Sequence, residues 1–184
     1  MMATTHHNRQ RLSDLLTGFA SIAPADDVEI YGISQFSGDT QQGDVFLATA
    51  NGTTHGLSYQ QDAVARGAAA IVWETAATID AEHLDCAVPS VEVPALSKHV
   101  FELIQRFYGP VSQDLCINAV TGTDGKSSVT HLLAQALDSL GQHCGLIGTL
   151  GYGRLSQLNA ATHTTPPPAR LAREFYQLVE QGCQ

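Results

Sequence analysis

The sequence predicts an α/β chain made of two units, and three observations carry that prediction. Short continuous apolar runs such as "AAAIVW" and "LCINAVT" alternate with segments of helical period, the order expected when parallel strands are covered by helices. A helix stop at Gly109 and Pro110 precedes the polar patch "GPVSQD" and a fresh strand-to-helix cycle, which divides residues 1–109 from 110–184. One strand-to-helix junction, "AVTGTDGKSSVTHLLAQAL" from Ala119 to Leu137, puts glycines, a lysine and serines at the edge of an apolar run. Flexible and charged residues at such an edge suit an anion.

The elements follow in order. Leu12, Leu15, Leu16 and Phe19 recur at helical spacing, so "RLSDLLTGF" predicts a short first helix. Val28 to Ile33 and Asp44 to Thr49 are β-rich and predict strands, separated by the polar, Gly-containing loop "SQFSGDTQQG". "LSYQQDAVARG" predicts a helix closed at Gly67, and "AAAIVW" a buried parallel strand behind it. "VPSVEV" adds a strand, and "ALSKHVFELIQRFYG" a helix with Leu96, Val100, Leu103, Ile104 and Phe107 on one face. In the second unit "LCINAVT" predicts a buried strand. Lys126 to Leu140 predicts a helix whose Val129, Leu132, Leu133, Ala136, Leu137 and Leu140 face inward, and "CGLIGTL" the next strand. A polar loop runs on to "THTTPPP", after which "ARLAREFYQLVEQG" predicts a last helix entered through proline at its first turn.

Composition limits the function. A chain of 184 residues can bury a real core without disulfides. Cys86, Cys116, Cys144 and Cys183 lie far apart, form no CxxC pair, and read as small hydrophobes in a reducing compartment, so we expect the cytosol. The start lacks the basic-then-apolar order of a secretory signal, and no apolar stretch is long enough to cross a bilayer. A formal net charge of -9 argues against binding along a nucleic-acid backbone, so any anion site must be local.

The local site is the strand, "TGTDGKSS", helix junction. Gly122 and Gly125 permit backbone angles that turn successive N–H groups toward one anion. The helix starting near Lys126 adds the positive end of its dipole, Lys126 a mobile charge, and Ser127 a hydroxyl able to ligate Mg²⁺. The pattern GxxxxGK[ST] would need glycine where Val120 stands, so the loop has the shorter form TGTxGK[ST]. The plainer alternative is a tight turn with a surface lysine.

That shorter form resembles the ATP loop of the Mur ligases and their folylpolyglutamate and cyanophycin synthetase relatives, which form amide bonds. "GISQFSGDTQQGDVFLATANGTTHGLSY" is similar to the uridine-binding segment of the members that add the third residue or the final dipeptide to the peptidoglycan stem. "CGLIGTLGYG" followed by "THTTPPP" is more like the third-residue enzymes than the dipeptide-adding ones. The resemblance implies a small uridine-binding α/β domain over 1–109, then the first part of a P-loop-type parallel-sheet ATPase domain over 110–184. It further implies that Gly122, Thr123, Asp124, Gly125, Lys126, Ser127 and Ser128 bind ATP, with Lys126 catalytic and Ser127 on Mg²⁺. Ser37, Thr53, His163, Thr164 and Thr165 would hold the UDP-linked muramyl dipeptide. Phe36 and Gly38 stand where the family's DSR-type turn has Asp and Arg. Asp124 replaces the loop's Asn, and His163 the Asn before the paired threonines.

The chemistry implied is activation of a carboxylate by ATP, through an acyl phosphate that an amino group attacks. The family continues beyond the point matching Gln184, so the expectation is an incomplete chain that does not turn over alone, monomeric or weakly self-associating through an unpaired sheet edge. Two other readings stay open. One is a nucleotide-binding module without catalysis. The other is a small phosphotransferase, for which Arg154, Arg170 and Arg173 are the only arginines beyond the loop.

Overall fold

The computed structural model describes residues 8–51, 54–75, 87–160 and 166–184. The chain divides into two compact units, Met1–Gly109 and Pro110–Gln184. The α/β class holds, with its parallel sheet in the first unit.

In the first unit, β1 (Gln10–Arg11) leads into a single helical turn, α1 (Leu12–Leu15), and pairs antiparallel with β2 (Glu29–Ile30). The run expected as one strand from Val28 to Ile33 is broken at Tyr31, whose N–H leaves the strand pairing to donate to Gly43 O at 2.9 Å. Beyond the break, β3 (Gly32–Ser34), β4 (Asp44–Ala48), β7 (Ala70–Glu74) and β8 (Ser90–Val93) form one sheet in the order β3-β4-β7-β8 with every pairing parallel. A two-stranded ribbon of β5 (Ala50–Asn51) and β6 (Thr54–His55) stands between β4 and α2 (Gln60–Ala65) in the chain. The expected helix over residues 57–67 begins instead with a 3-10 turn at Gly56–Tyr59.

Alternation along the strands explains the layers. Phe46, Ala48, Ile71 and Trp73 share one face and cluster with Leu57 and Ala63 from the α2 side. Val45, Leu47 and Val72, all fully buried, point to the other face. There α3 (Leu96–Tyr108) packs on β3 and β7 and brings Leu103, Ile104 and Phe107. Each large side chain so buried contributes roughly 1.5–3 kcal/mol relative to exposure.

One buried carboxylate ties the ribbon to this core. Glu74, at the end of β7, accepts from the Ala50 N–H at 2.8 Å and from the Ser97 hydroxyl at 2.7 Å. Its backbone carbonyl accepts from His55 Nε2 at 2.9 Å, while His55 Nδ1 accepts from the Leu57 N–H. Burial disfavours the charge on Glu74, but these hydrogen bonds and the nearby His55 outweigh it and hold the carboxyl below its ordinary value. A depressed folded-state value stabilises above the unfolded pKa, about 4.3, and is lost as pH falls through the folded one. Glu74→Ala is therefore expected to lower the unfolding midpoint at pH 7, and the difference from the parent should shrink toward pH 3. Denaturant titrations at both values check this.

In the second unit, α4 (Lys126–Ser139) is followed by an antiparallel meander of β9 (Gly145–Gly148), β10 (Gly151–Arg154) and β11 (Gln157–Asn159), then α5 (Pro168–Glu180). Three expectations are corrected here. "LCINAVT" is not a strand, and Cys116 and Ile117 within it are exposed. The strand expected over "CGLIGTL" pairs antiparallel with β10 and not parallel with a neighbour of high sequence separation, because the two-residue turn Thr149–Leu150 closes a hairpin at small entropic cost. Of the apolar face foreseen for α4, Val129, Leu132, Leu133 and Leu140 are exposed. The helix packs on β9 through a narrow contact centred on buried Ala134, and short strands give it little surface to cover. The expected last helix forms, and Arg170 Nε lies 2.9 Å from Glu174 Oε1 on its buried side. Burial pushes the Cys144 and Cys183 thiols up, which keeps them protonated and inert; Cys86 lies outside the described residues.

Candidate functional site

The Gly-rich bend forms because its glycines can take conformations closed to other residues. Gly122 has φ 144° and Gly125 φ 73°, and Gly125 sits directly before the first helical residue, Lys126. Thr121, Gly122, Thr123, Asp124 and Gly125 are all exposed. The first amides of α4, which have no partner within the helix, therefore open onto the bend, where the helix dipole favours negative charge. Lys126 folds back over it. Its ammonium donates to Gly122 O at 2.5 Å and to Thr123 O at 3.3 Å, so one positive charge lies across the same concavity as the amides.

Ser127 is held by a residue that sequence patterning did not single out. Its Oγ shares a 2.9 Å hydrogen bond with Thr149 Oγ1, in the turn after β9, which joins the first turn of α4 to the meander. Thr130 Oγ1 bonds back to the carbonyls of Lys126 and Ser127 and steadies that turn. Ser128 is exposed on the same helix start. Among the described residues no cluster of three or more His, Cys, Asp or Glu side chains could enclose a metal ion. The donor set, one hydroxyl on Ser127 with exposed Asp124 nearby in sequence, fits a Mg²⁺ that arrives on phosphate oxygens and keeps water ligands, the usual manner of that ion. A cleft of about 520 Å³ runs from Thr121, Lys126 and Ser127 into an apolar end at Leu137, Leu146 and Phe175.

In the first unit, Ser37 opens a 3-10 turn, Ser37–Asp39, just past the carboxyl end of β3. Thr40 and Asp39 fold back on Phe36 O, and Ser34 Oγ shares a hydrogen bond with Thr40 Oγ1 at 3.0 Å, so the turn is stitched to the strand. The Ser37 hydroxyl bonds the Asp62 carboxylate on α2; that bond and the Arg66 guanidinium hold Asp62 below the usual carboxylate range. Asp62, spaced four residues from Arg66, reads in sequence as half of a surface helix pair, which is why its link to Ser37 was not foreseen. Thr53, His163, Thr164 and Thr165 lie outside the described residues. The carboxyl ends of parallel strands are where open α/β sheets bind ligands, and Ser37 and the β5–β6 ribbon are both at that edge of this sheet.

Comparison with known proteins adds a second line of observation. Residues 29–108 match the model described as Mur ligase family, catalytic domain, and residues 120–184 match the Mur ligase middle domain. The chain is 40% identical over 179 residues to the UDP-N-acetylmuramoyl-L-alanyl-D-glutamate--2,6-diaminopimelate ligase of Alkalilimnicola ehrlichii, covering 94% of this chain and 36% of that protein. It is 36% identical over 177 residues to the protein of the same name in Coxiella burnetii, covering 96% and 36%. A solved structure of a UDP-N-acetylmuramoyl-L-alanyl-D-glutamate--2,6-diaminopimelate ligase superposes with a TM-score of 0.62 at 25% identity, over 95% of this chain and 34% of that one. The chain thus spans about a third of the length of the relatives it matches.

Proposed function

This chain belongs to the Mur ligase family, and we propose from that premise that it works in ATP-dependent addition of 2,6-diaminopimelate to UDP-N-acetylmuramoyl-L-alanyl-D-glutamate, in the cytoplasm. The first unit would hold the UDP end of the acceptor at Ser37 and Thr53. The second would hold the triphosphate at Gly122, Thr123, Asp124, Gly125, Lys126, Ser127 and Ser128. His163, Thr164 and Thr165 would contact the muramyl dipeptide.

The observation that carries this reading is the bend itself: left-handed glycines, free helix amides and the Lys126 ammonium converge on one exposed concavity. A carboxylate is a poor electrophile, and transfer of the γ-phosphoryl group to it gives an acyl phosphate that an amine can attack. Lys126 and the amides would bind the β- and γ-oxygens and oppose the charge that grows there, which is positioning and electrostatic work. Bound Mg²⁺ would supply further charge neutralisation on those oxygens, with Ser127 among its ligands. The relatives named above favour addition of the third residue over addition of a dipeptide.

Equilibrium binding tests the proposal. The purified chain is expected to bind both Mg·ATP and UDP-N-acetylmuramoyl-L-alanyl-D-glutamate, each competed by its own nucleotide, ATP or UDP. A chain that binds neither overturns it.

A further inference from the structure

Ser127 Oγ and Thr149 Oγ1 lie 2.9 Å apart, and either oxygen can be the donor of the bond between them. A hydroxyl has one proton to give and two lone pairs to accept with. If Thr149 donates, the Ser127 proton is left over and faces outward, where it opposes a cation. If Ser127 donates, its proton is committed to Thr149 and its lone pairs are left for a cation. Both arrangements are open to the chain alone. Only the second suits a serine that ligates Mg²⁺.

Thr149 is well placed to receive that proton. It lies in the two-residue turn after β9, and the turn is held by pairing on both sides: Gly148 with Gly151 across it, and Tyr152 with Asn159 of β11 just beyond. On the facing side, the first turn of α4 is steadied by Thr130, whose hydroxyl lies 3.0 Å from Lys126 O and 3.1 Å from Ser127 O. Two braced elements therefore meet at this one hydroxyl pair. Thr149 lines the same cleft as Thr121, Lys126 and Ser127, so the pair stands at the wall of the bend and not behind it.

Resting on the reading that the bend takes Mg·ATP, we propose that Thr149 is a positioning residue for the cation: it accepts the Ser127 proton and so directs the serine's lone pairs toward Mg²⁺. This ion keeps much of its water and takes few protein ligands, so the direction of a single hydroxyl counts. Groups that orient a ligating side chain typically account for ten- to a hundredfold in metal affinity. In this role Thr149 acts through Ser127 alone, and its effect is felt only when the cation is present.

Titration of the whole chain with a fluorescent, non-hydrolysable ATP analogue, once with Mg²⁺ and once with EDTA, tests this. The parent should bind more tightly with Mg²⁺. Thr149→Val keeps the size and β-branching of the side chain and removes the acceptor. It should lose about tenfold of the affinity measured with Mg²⁺ and none of that measured with EDTA. Thr149→Ser restores the hydroxyl and should restore the gain. Ser127→Ala should lose the gain as well, and adding Thr149→Val to it should cost nothing further, because the threonine acts through the serine. Unchanged affinity with Mg²⁺ in Thr149→Val overturns the proposal. So does an equal loss with Mg²⁺ and with EDTA, the result expected if the bond merely fastens the hairpin to the helix, and so does failure of Thr149→Ser to rescue. These outcomes leave the ATP reading standing. A parent that binds the analogue under neither condition removes that reading and this inference with it.

Discussion

Lys126→Ala is expected to weaken Mg·ATP binding by roughly ten- to a hundredfold, the range for losing a hydrogen bond to a charged group. The side chain donates to Gly122 O and Thr123 O, so its charge lies over the bend proposed for the triphosphate. Little else would change. Lys126 begins a helix, alanine is a good helix former, and the hydrogen bonds lost are exposed ones, so the variant should fold as the parent does. Lys126→Arg keeps the charge but replaces a compact ammonium by a planar fork, and should recover only part of the affinity. Fluorescent ATP-analogue titrations of the three proteins give the result directly. Equal affinities would mean that the lysine is a surface residue beside a tight turn.

The largest stability effect is expected at Phe46. This ring is among the largest fully buried side chains and lies between Ile71, Trp73, Leu57 and Ala63 on the α2 face of the parallel sheet. Phe46→Ala removes its transfer energy and leaves a cavity that strands held in register on both sides cannot close, so we expect a loss of about 3–5 kcal/mol. Because Trp73, in the same cluster, is the chain's single tryptophan, its emission reports unfolding of the first unit alone. A urea titration should show the midpoint fall sharply in the variant, with little change at Phe36→Ala, whose ring is half exposed. A loss below about 1 kcal/mol would show that the cluster repacks around the gap.

The contrast between the two units shows what periodicity can and cannot convey. "AAAIVW" and "DVFLAT" were legible because each is apolar on both faces and each finds a parallel neighbour with helices above and below. "LCINAVT" carries the same signal and forms no strand, since a strand exists only when a second strand completes its hydrogen bonds, and among the described residues none pairs with it. The face predicted for α4 failed for a related reason: Leu132 and Leu140 have the right spacing, but spacing does not supply the surface that would cover them. The bend at Gly122–Ser127 was readable because its chemistry is local, with every donor within six residues. Thr149 and Asp62 were not, because each meets its serine only after the chain has folded back on itself. Glu74 is the same kind of case, a charged residue closing an apolar strand whose role emerges only from Ala50 and Ser97.

The central claim is that the backbone from Thr121 to Ser127 closes around a triphosphate. Amide NMR of the chain titrated with a non-hydrolysable Mg·ATP analogue tests it most directly. The predicted result is large downfield shifts at the amides of Gly122 through Ser127, with the Lys126 ammonium transferring from the Gly122 carbonyl to phosphate. Saturating analogue that moves resonances elsewhere and leaves those amides unshifted would contradict it.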